Sequence, residues 1–206
     1  MIGDYELDNV YCGDSFELMD GIPDNSIDLI LTDPIYWNFD DYKRLAIHAG
    51  RILKDGGAVL AQVGEKFWFD AEVAFRSESK LDHLPPVIEV YYFSTRAFHM
   101  GPTKISSGYV PYVFAMNGLR KVTVMDRFFG KRDKTYHKWG DGTTFSKQYV
   151  DVLTPEDGIV FDPFCGGGTV AAAAKMMNRS FLAFDIDPLA VESTNRRLGM
   201  VDENGI

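Results

Sequence analysis

The chain contains few of the residues that usually carry metal or thiol chemistry. Its 206 residues include two cysteines, Cys12 and Cys165, and four histidines. Neither cysteine has a partner at metal-ligand spacing, so we expect no metal site and a reducing, cytoplasmic environment. No apolar run approaches membrane-spanning length, and the N-terminal residues lack the basic start and apolar stretch of a secretion signal. These absences favour a soluble protein that has no membrane partner.

Repeats, low-complexity tracts and proline-rich or serine-rich linkers are also absent, which predicts one domain over residues 1–206. The net charge of −9 argues against a nucleic-acid partner, because Lys and Arg contacts to phosphate supply most non-specific affinity. Segment 119–138 differs, since it has seven basic and two acidic residues. It is either a solvated loop or a phosphate-contacting surface. Its basic residues are Arg120, Lys121, Arg127, Lys131, Arg132, Lys134 and Lys138.

Short apolar, β-branched runs alternate with helical patterns along the chain. Helices are predicted from about Asp40 to a stop at Gly56-Gly57, over 169–177, and over 188–198 with Asp187 as its N-cap. The alternation predicts an α/β fold with a mostly parallel, seven-stranded sheet covered by helices on both sides. In such folds ligands bind at the carboxyl edge of the sheet. The predicted strands are 10–12, 27–31, 58–63, 87–93, 109–115, 159–161 and 181–184.

A glycine-rich turn leads from the strand predicted at 159–161 into an alanine-rich helix. It reads Asp162-Pro163-Phe164-Cys165-Gly166-Gly167-Gly168-Thr169. Glycines let the backbone pass close beneath a ligand, and the N–H groups that begin a helix attract an anionic part of it. A later strand ends at Asp185, whose carboxylate can accept hydrogen bonds from ribose hydroxyls. The turn has neither Walker nor dinucleotide spacing, so it fits a nucleoside that carries a small zwitterion. The alternative is a purely structural turn, with Asp185 capping the next helix.

The tetrapeptide Asp33-Pro34-Ile35-Tyr36 follows the strand predicted at 27–31. The Asp33 carboxylate and the Pro34 carbonyl are acceptors that can hold both hydrogens of an exocyclic base amine, which turns its lone pair toward an incoming methyl group. The base must first leave its duplex, and Tyr36 is the ring on which we expect it to stack. The alternative is an ordinary strand-ending turn with core aromatics.

Together, tetrapeptide 33–36 and loop 164–168 resemble the Asp-Pro-Pro-Tyr and Phe-x-Gly-x-Gly motifs of the DNA amino-methyltransferases. The tetrapeptide precedes the loop, a circularly permuted motif order that is similar to the β class of that family. The resemblance is close over residues 9–36 and 159–198 and loose between them. It implies the Rossmann-like fold of S-adenosylmethionine-dependent methyltransferases, and methyl transfer to adenine N6 in DNA. The permuted order also predicts that the C-terminal helix lies beside the N-terminal strand.

The resemblance further implies roles for individual residues. Asp33, Pro34 and Tyr36 would be catalytic, and aspartate rather than serine at position 33 favours adenine over cytosine. A small target-reading insertion would fall within 117–139, where the basic residues would contact DNA, and family members often form homodimers. The S-adenosylmethionine site would include Asp14, near the adenine amine of the cofactor, together with Asp162, Phe164, Gly166, Gly168, Thr169 and Asp185.

Ile35 stands where the family has a second proline. Isoleucine frees φ and adds an N–H, which favours a less rigid loop and leaves low or absent activity as an alternative. His137 is predicted to be structural or a phosphate contact. The open alternatives are cytosine-N4 methyl transfer in DNA, methylation of RNA or of a protein amide, and an inactive S-adenosylmethionine-binding protein associated with DNA.

Overall fold

The computed structural model describes residues 1–34, 39–64, 67–85, 87–91, 98–100, 105–107, 109–121, 127–130 and 143–203. Strands and helices alternate along most of this chain. None of the helices described is both long and apolar enough to cross a membrane. The helices are α1 (Ser15–Met19), α2 (Phe39–Ile52), α3 (Trp68–Glu78), α4 (Thr143–Leu153), α5 (Thr169–Met176) and α6 (Pro188–Glu203). The strands are β1 (Asn9–Cys12), β2 (Ile27–Thr32), β3 (Leu53–Gln62), β4 (Asp82–His83), β5 (Val87–Tyr91), β6 (Phe98–Met100), β7 (Ile105–Ser107), β8 (Tyr109–Met116), β9 (Arg127–Gly130), β10 (Ile159–Asp162) and β11 (Ser180–Asp185).

Nine of the described strands form one sheet in the order β1-β11-β10-β2-β3-β8-β5-β9, with β4 also paired to β8. The five strands from β1 to β3 in this order are mutually parallel. β8 runs antiparallel to β3, and β5 runs antiparallel to β8, so β5 and its parallel neighbour β9 point the same way as β3. β6 and β7 form a separate antiparallel pair.

The winding of the chain reverses between β10 and β2. From β2 the chain passes through α2 to β3 on one side, and from β10 it passes through α5 to β11 on the other. Carboxyl ends of strands that flank such a reversal leave a crevice, because their connections diverge, and open α/β sheets bind ligands there. A ligand site is therefore expected at the residues that follow β10 and β2.

Helices cover both faces of the sheet. On one face, Tyr42 and Leu45 of α2 and Phe75 of α3 pack against sheet residues such as Ile30 and Phe161. On the other face, α4 and α6 pack beside α5, where four fully or almost fully buried alanines at 171–174 bring the helix backbone close to the strands. Fully buried central strands need apolar side chains on both faces, which explains the continuous apolar runs in β2 and β11.

The sequence-based prediction of a mostly parallel α/β sheet is confirmed. All seven predicted strands are present, although residues 92–93 lie outside the described chain, and the structure adds β4 and β9 to the sheet. Asp187 caps α6 as predicted, because its carboxylate accepts a hydrogen bond from the Leu189 N–H at 2.9 Å. α6 also packs against β1, as the permuted motif order requires.

The predicted end of α2 at Gly56-Gly57 is wrong. α2 ends at Ile52 and β3 begins immediately at Leu53, so both glycines lie inside the strand. The register between β2 and β3 shifts at this point, and Gly56 has φ of +76°. The glycine pair therefore marks an irregularity in a strand, where a left-handed residue is tolerated, rather than a helix stop.

Candidate functional site

Four aspartates occupy the carboxyl ends of four neighbouring parallel strands. Asp14 follows β1, Asp185 ends β11, Asp162 ends β10, and Asp33 follows β2. Asp162 is buried, Asp14 and Asp185 are half-buried, and Asp33 is exposed. Among the described residues, no three His, Cys, Asp or Glu side chains are grouped so that they could hold a metal ion. The edge is therefore an acidic rim spread along several strand ends.

A side-chain hydrogen bond joins the two strand ends at the reversal of the sheet. The Thr32 hydroxyl donates to Oδ1 of Asp162 at 2.7 Å, and both side chains are buried. Because Asp33 is the next residue after Thr32, this bond fixes the start of the tetrapeptide beside the start of the glycine loop. The structure thus brings Asp33 and Pro34 to the loop, whereas Ile35 and Tyr36 lie outside the described residues.

The Asp162 carboxyl is held in an environment that disfavours its charge. Burial raises the pKa of Asp162 to about 7. The Thr32 hydroxyl and the Phe164 N–H, which donates at 3.2 Å, lower this pKa, while the nearby carboxylates of Asp185 and Asp33 raise it. A buried carboxyl with two donors on one oxygen can hold a proton or accept a cation near neutral pH.

The Asp185 carboxylate accepts hydrogen bonds from two backbone N–H groups, one of which belongs to the glycine loop. The Gly166 N–H donates to Oδ2 of Asp185 at 2.8 Å, and the Asp187 N–H donates to Oδ1 at 2.9 Å. Each carboxylate oxygen can accept a second hydrogen bond, so Asp185 keeps acceptor capacity for hydroxyl groups. Gly166 and Gly168 have φ of +50° and +71°, a region that favours glycine. The predicted cofactor loop and its acidic partner are thus in direct contact.

Helix α6 supports this loop from behind. The buried Thr194 hydroxyl donates to the Gly166 carbonyl at 2.9 Å, and buried Arg197 donates to the Thr169 hydroxyl at 2.5 Å. A Cβ placed on Gly168 would lie 2.5 Å from Cγ2 of Thr194. Sequence reasoning missed both α6 residues, because each is 28 positions from its partner and no local pattern signals the contact.

An aromatic and cationic stack lies beside the loop. The Phe164 ring, which begins the loop, meets the Phe16 ring of α1 edge-on at 5.6 Å. The Arg44 guanidinium of α2 lies over the Phe16 ring, 3.9 Å from the ring centroid. Asp14 positions α1 by accepting the Phe16 N–H at 2.8 Å. Arg44 is an exposed cation near the rim that the sequence analysis did not identify.

The basic segment is divided between opposite edges of the sheet. Met116, which ends β8, lies opposite Ala58, whereas Tyr112 lies opposite Gln62 at the carboxyl end of β3. Arg120 and Lys121 follow Met116, so they lie about 13 Å or more from the carboxyl edge, given about 3.3 Å per residue. β9 instead pairs with β5, which begins level with Gln62 and continues beyond the carboxyl end of β3.

Arg120, one of the expected DNA contacts, is held by two backbone carbonyls. Its guanidinium donates to the Gly56 carbonyl at 2.8 Å and to the Leu153 carbonyl at 2.7 Å. Leu153 is the last residue of α4, whose final carbonyls have no partner inside the helix. Arg120 therefore ties α4 to β3 at the amino edge. The backbone of Arg127 begins β9, and Lys131, Arg132, Lys134, His137 and Lys138 lie outside the described residues.

The rim fits a cationic nucleoside that carries an amino acid. Asp185 offers acceptors for hydroxyls, and the buried Asp162 suits an ammonium group. Phe164 supplies an apolar surface at the same place. The fold and these residues define a Rossmann-like α/β protein with a candidate nucleoside-binding rim.

Comparison with known proteins shows a local similarity to DNA methyltransferases. A family model described as DNA methylase, of the N6/N4 type, matches residues 124–196. The type II methyltransferase M.HindIII of Haemophilus influenzae is 36% identical over 72 residues, which span 35% of this chain and 23% of that enzyme. Each match covers about a third of this chain, and both show a local similarity to DNA methyltransferases that agrees with the paired motifs.

Two solved structures share the fold. The M1.HpyAVI complex with S-adenosylmethionine superposes with a TM-score of 0.78 at 18% sequence identity, and the alignment covers 92% of this chain and 98% of the M1.HpyAVI chain. The PvuII DNA methyltransferase, which is cytosine-N4-specific, superposes with a TM-score of 0.81 at 16% sequence identity, and the alignment covers 91% of this chain and 85% of the PvuII enzyme. The Rossmann-like methyltransferase fold that the motifs imply is thus confirmed.

Proposed function

We propose that this chain binds S-adenosylmethionine and transfers its methyl group to N6 of adenine in DNA. The observation that carries the proposal is the hydrogen bond from Thr32 to Asp162. It joins the start of the tetrapeptide to the start of the glycine loop, where the chain winding reverses between β2 and β10 and open α/β sheets bind their ligands. The match of residues 124–196 to a DNA methylase family model of the N6/N4 type supports the same reaction. Aspartate at position 33 favours adenine, as the family resemblance implies.

The acidic rim would hold the cofactor. Asp185 would accept the ribose hydroxyls, Asp14 would lie near the adenine amine, and Asp162 and the Gly166–Gly168 turn would face the methionine part. Phe164 and Thr169 complete this proposed site. When bound, S-adenosylmethionine supplies an electrophilic methyl group on a sulfonium, and a negative rim suits that positive charge.

The tetrapeptide would prepare the base amine. Asp33 and the Pro34 carbonyl would accept its two hydrogens, which localises the nitrogen lone pair toward the methyl carbon. The nitrogen would form a bond to the methyl carbon as the carbon–sulfur bond breaks and leaves a neutral thioether, and it would give up one proton, which the exposed Asp33 carboxylate could pass to water. Tyr36 would stack on the flipped base, which offsets part of the unstacking cost of roughly a few kcal/mol.

Mass spectrometry of nucleosides tests the reaction. We expect N6-methyladenine in digests of DNA treated with the purified protein and isotopically labelled S-adenosylmethionine. Asp33→Ala should lower transfer by at least about 100-fold, since it removes an acceptor used in the transition state. The same variant should keep its affinity for S-adenosylmethionine by calorimetry, because Asp33 lies outside the proposed cofactor contacts. Wild-type protein that neither binds the cofactor nor labels DNA would contradict the proposal.

Cytosine N4 is the second candidate acceptor. The same pair of acceptors suits any planar amine, and one structural neighbour of this fold is a cytosine-N4-specific enzyme. N4-methylcytosine in the digest would replace the adenine assignment and leave the mechanism intact. Label in RNA or in protein amides, or cofactor binding without any transfer, would instead support the remaining alternatives.

Contacts to DNA are proposed for the part of the basic segment that follows β9. The chain leaves β9 at Gly130 on the same side of the sheet as the acidic rim, although β3, β8 and β5 separate β9 from β2. Lys131, Arg132, Lys134 and Lys138 follow this strand in the sequence. With Arg127 they would offset the repulsion between DNA and an acidic protein. We further propose a role in a restriction-modification system and a homodimer that doubles the DNA interface.

A further inference from the structure

Tyr42 carries a buried hydroxyl that has no hydrogen-bond partner among the described residues. Its side chain is only 1% exposed, and its ring lies in the cluster between α2 and the sheet. An unpaired buried hydroxyl is costly, because folding removes its water and returns no bond. Most buried polar groups in native proteins are paired, so an exception at this position needs a reason.

The position of Tyr42 in α2 directs this hydroxyl toward the tetrapeptide. α2 begins at Phe39, just after the tetrapeptide, and runs from the carboxyl edge toward the start of β3. Helical side chains lean toward the N-terminus of their helix, and Tyr42 is the fourth residue of α2. Its hydroxyl therefore points to the edge where β2 ends and Asp33 begins the tetrapeptide.

Electrostatics agree with this direction. Burial raises the pKa of Tyr42 well above its ordinary value, and the carboxylates of Asp33 and then Asp41 raise it further. The phenol consequently stays protonated and remains a hydrogen-bond donor over the range in which the protein works. A protonated phenol that is near enough to Asp33 to be affected by its charge suits a polar contact that forms during substrate binding.

We propose that Tyr42 is a positioning residue for methyl transfer, whose hydroxyl donates a hydrogen bond to the Asp33 carboxylate when the target amine is bound. One carboxylate oxygen is then fixed by the phenol and the other faces the amine. This inference rests on the proposed function, since it needs a substrate amine at Asp33. It also explains why the hydroxyl is kept although the described part of the chain offers it no partner.

Kinetics of Tyr42→Phe on the full chain test the proposal. We expect kcat for DNA methylation to fall by about tenfold or more, because an interaction made in the transition state is lost. The KM for DNA and the affinity for S-adenosylmethionine should stay near wild type. The urea midpoint should be unchanged or higher, because phenylalanine keeps the ring and removes an unpaired hydroxyl.

Tyr5→Phe is the matched control. Its hydroxyl is in the same apolar cluster but already donates to the Leu18 carbonyl at 2.6 Å. This variant should lower the urea midpoint and leave kcat unchanged, the reverse of Tyr42→Phe. A wild-type kcat in Tyr42→Phe, or a lower kcat with an equally weakened fold and cofactor affinity, would overturn the inference alone. Absence of transfer by the wild-type protein would overturn the proposed function and this inference with it.

Discussion

The buried carboxyl of Asp162 is one residue that makes the free energy of unfolding depend on pH. Its pKa is about 7 in the folded chain and has an ordinary value of 3.8. Between these values the folded state holds a proton that the unfolded state has released, so raising the pH through this window weakens the fold. Below the window both states are protonated, and above it both are ionised, so the penalty is then constant.

Replacing Asp162 by asparagine should remove this dependence. The amide of Asp162→Asn does not ionise, and its carbonyl oxygen can still accept from Thr32 and Phe164. We expect wild-type unfolding free energy to fall by a few kcal/mol between about pH 4 and pH 7 relative to this variant. Urea titrations of both proteins across that range measure the difference. Parallel curves for the two proteins would show that Asp162 is ionised throughout.

The glycine loop and α6 act together at the scale of secondary-structure elements. Gly168 combines a left-handed φ of +71° with a close approach to Thr194. Gly168→Ala should therefore destabilise the chain by about 1–3 kcal/mol and weaken S-adenosylmethionine binding. Gly199→Ala is the control, since it lies exposed in α6 with nothing within 4 Å of an added Cβ.

The control should instead stabilise the chain by about 0.5–1 kcal/mol. Thermal unfolding and calorimetric titration of the two variants measure both effects. Adding Thr194→Ser to Gly168→Ala removes Cγ2, so it should restore part of the loss and leave the φ strain. Equal stability of Gly168→Ala and wild type would show that α6 does not constrain the loop.

Elements whose patterns are strong and local could be predicted from the sequence. The buried strands, α5, α6 and the Asp187 cap were all predicted, because apolar runs and capping residues act within a few positions. α3 was missed because it exposes Phe69 and Val73 while it buries Ala71 and Phe75, which blurs the helical period. α1 has only five residues, too few for a periodic signal.

The candidate site was predictable only in part for the same reason. Asp33, Asp162 and Asp185 stand at strand ends, where the sequence marks them, and the structure brings these strand ends together. Tyr42, Thr194 and Arg197 contribute through contacts that depend on how helices sit on the sheet. The two backbone contacts of Arg120 could not be predicted, because charge alone does not reveal which carbonyls a guanidinium meets.

The distribution of charge matters at the scale of the whole molecule. With a net charge of −9, the chain needs a local basic surface to approach DNA. We expect Lys131→Ala, Arg132→Ala and Lys134→Ala combined to weaken DNA binding and to lower its salt dependence by about one counterion per residue. Fluorescence anisotropy at several salt concentrations measures both quantities.

Arg120→Ala should behave in the opposite way. Loss of its bonds to Gly56 and Leu153 should lower stability by about 1–2 kcal/mol, while DNA affinity of the folded protein stays unchanged. Lys121→Ala, at the neighbouring exposed position, should change neither quantity. A loss of affinity in Arg120→Ala equal to that of the triple variant would place DNA on the amino edge of the sheet.

The row of strand-end aspartates also bears on turnover. S-adenosylmethionine carries one net positive charge, and the thioether that remains after each reaction carries none. Asp14 and Asp185 of the proposed cofactor site are both accessible to solvent, so they would attract the incoming donor more strongly than the spent one. The same electric field that concentrates fresh donor at the sheet therefore favours release of the demethylated product, and product inhibition should grow as added salt screens it.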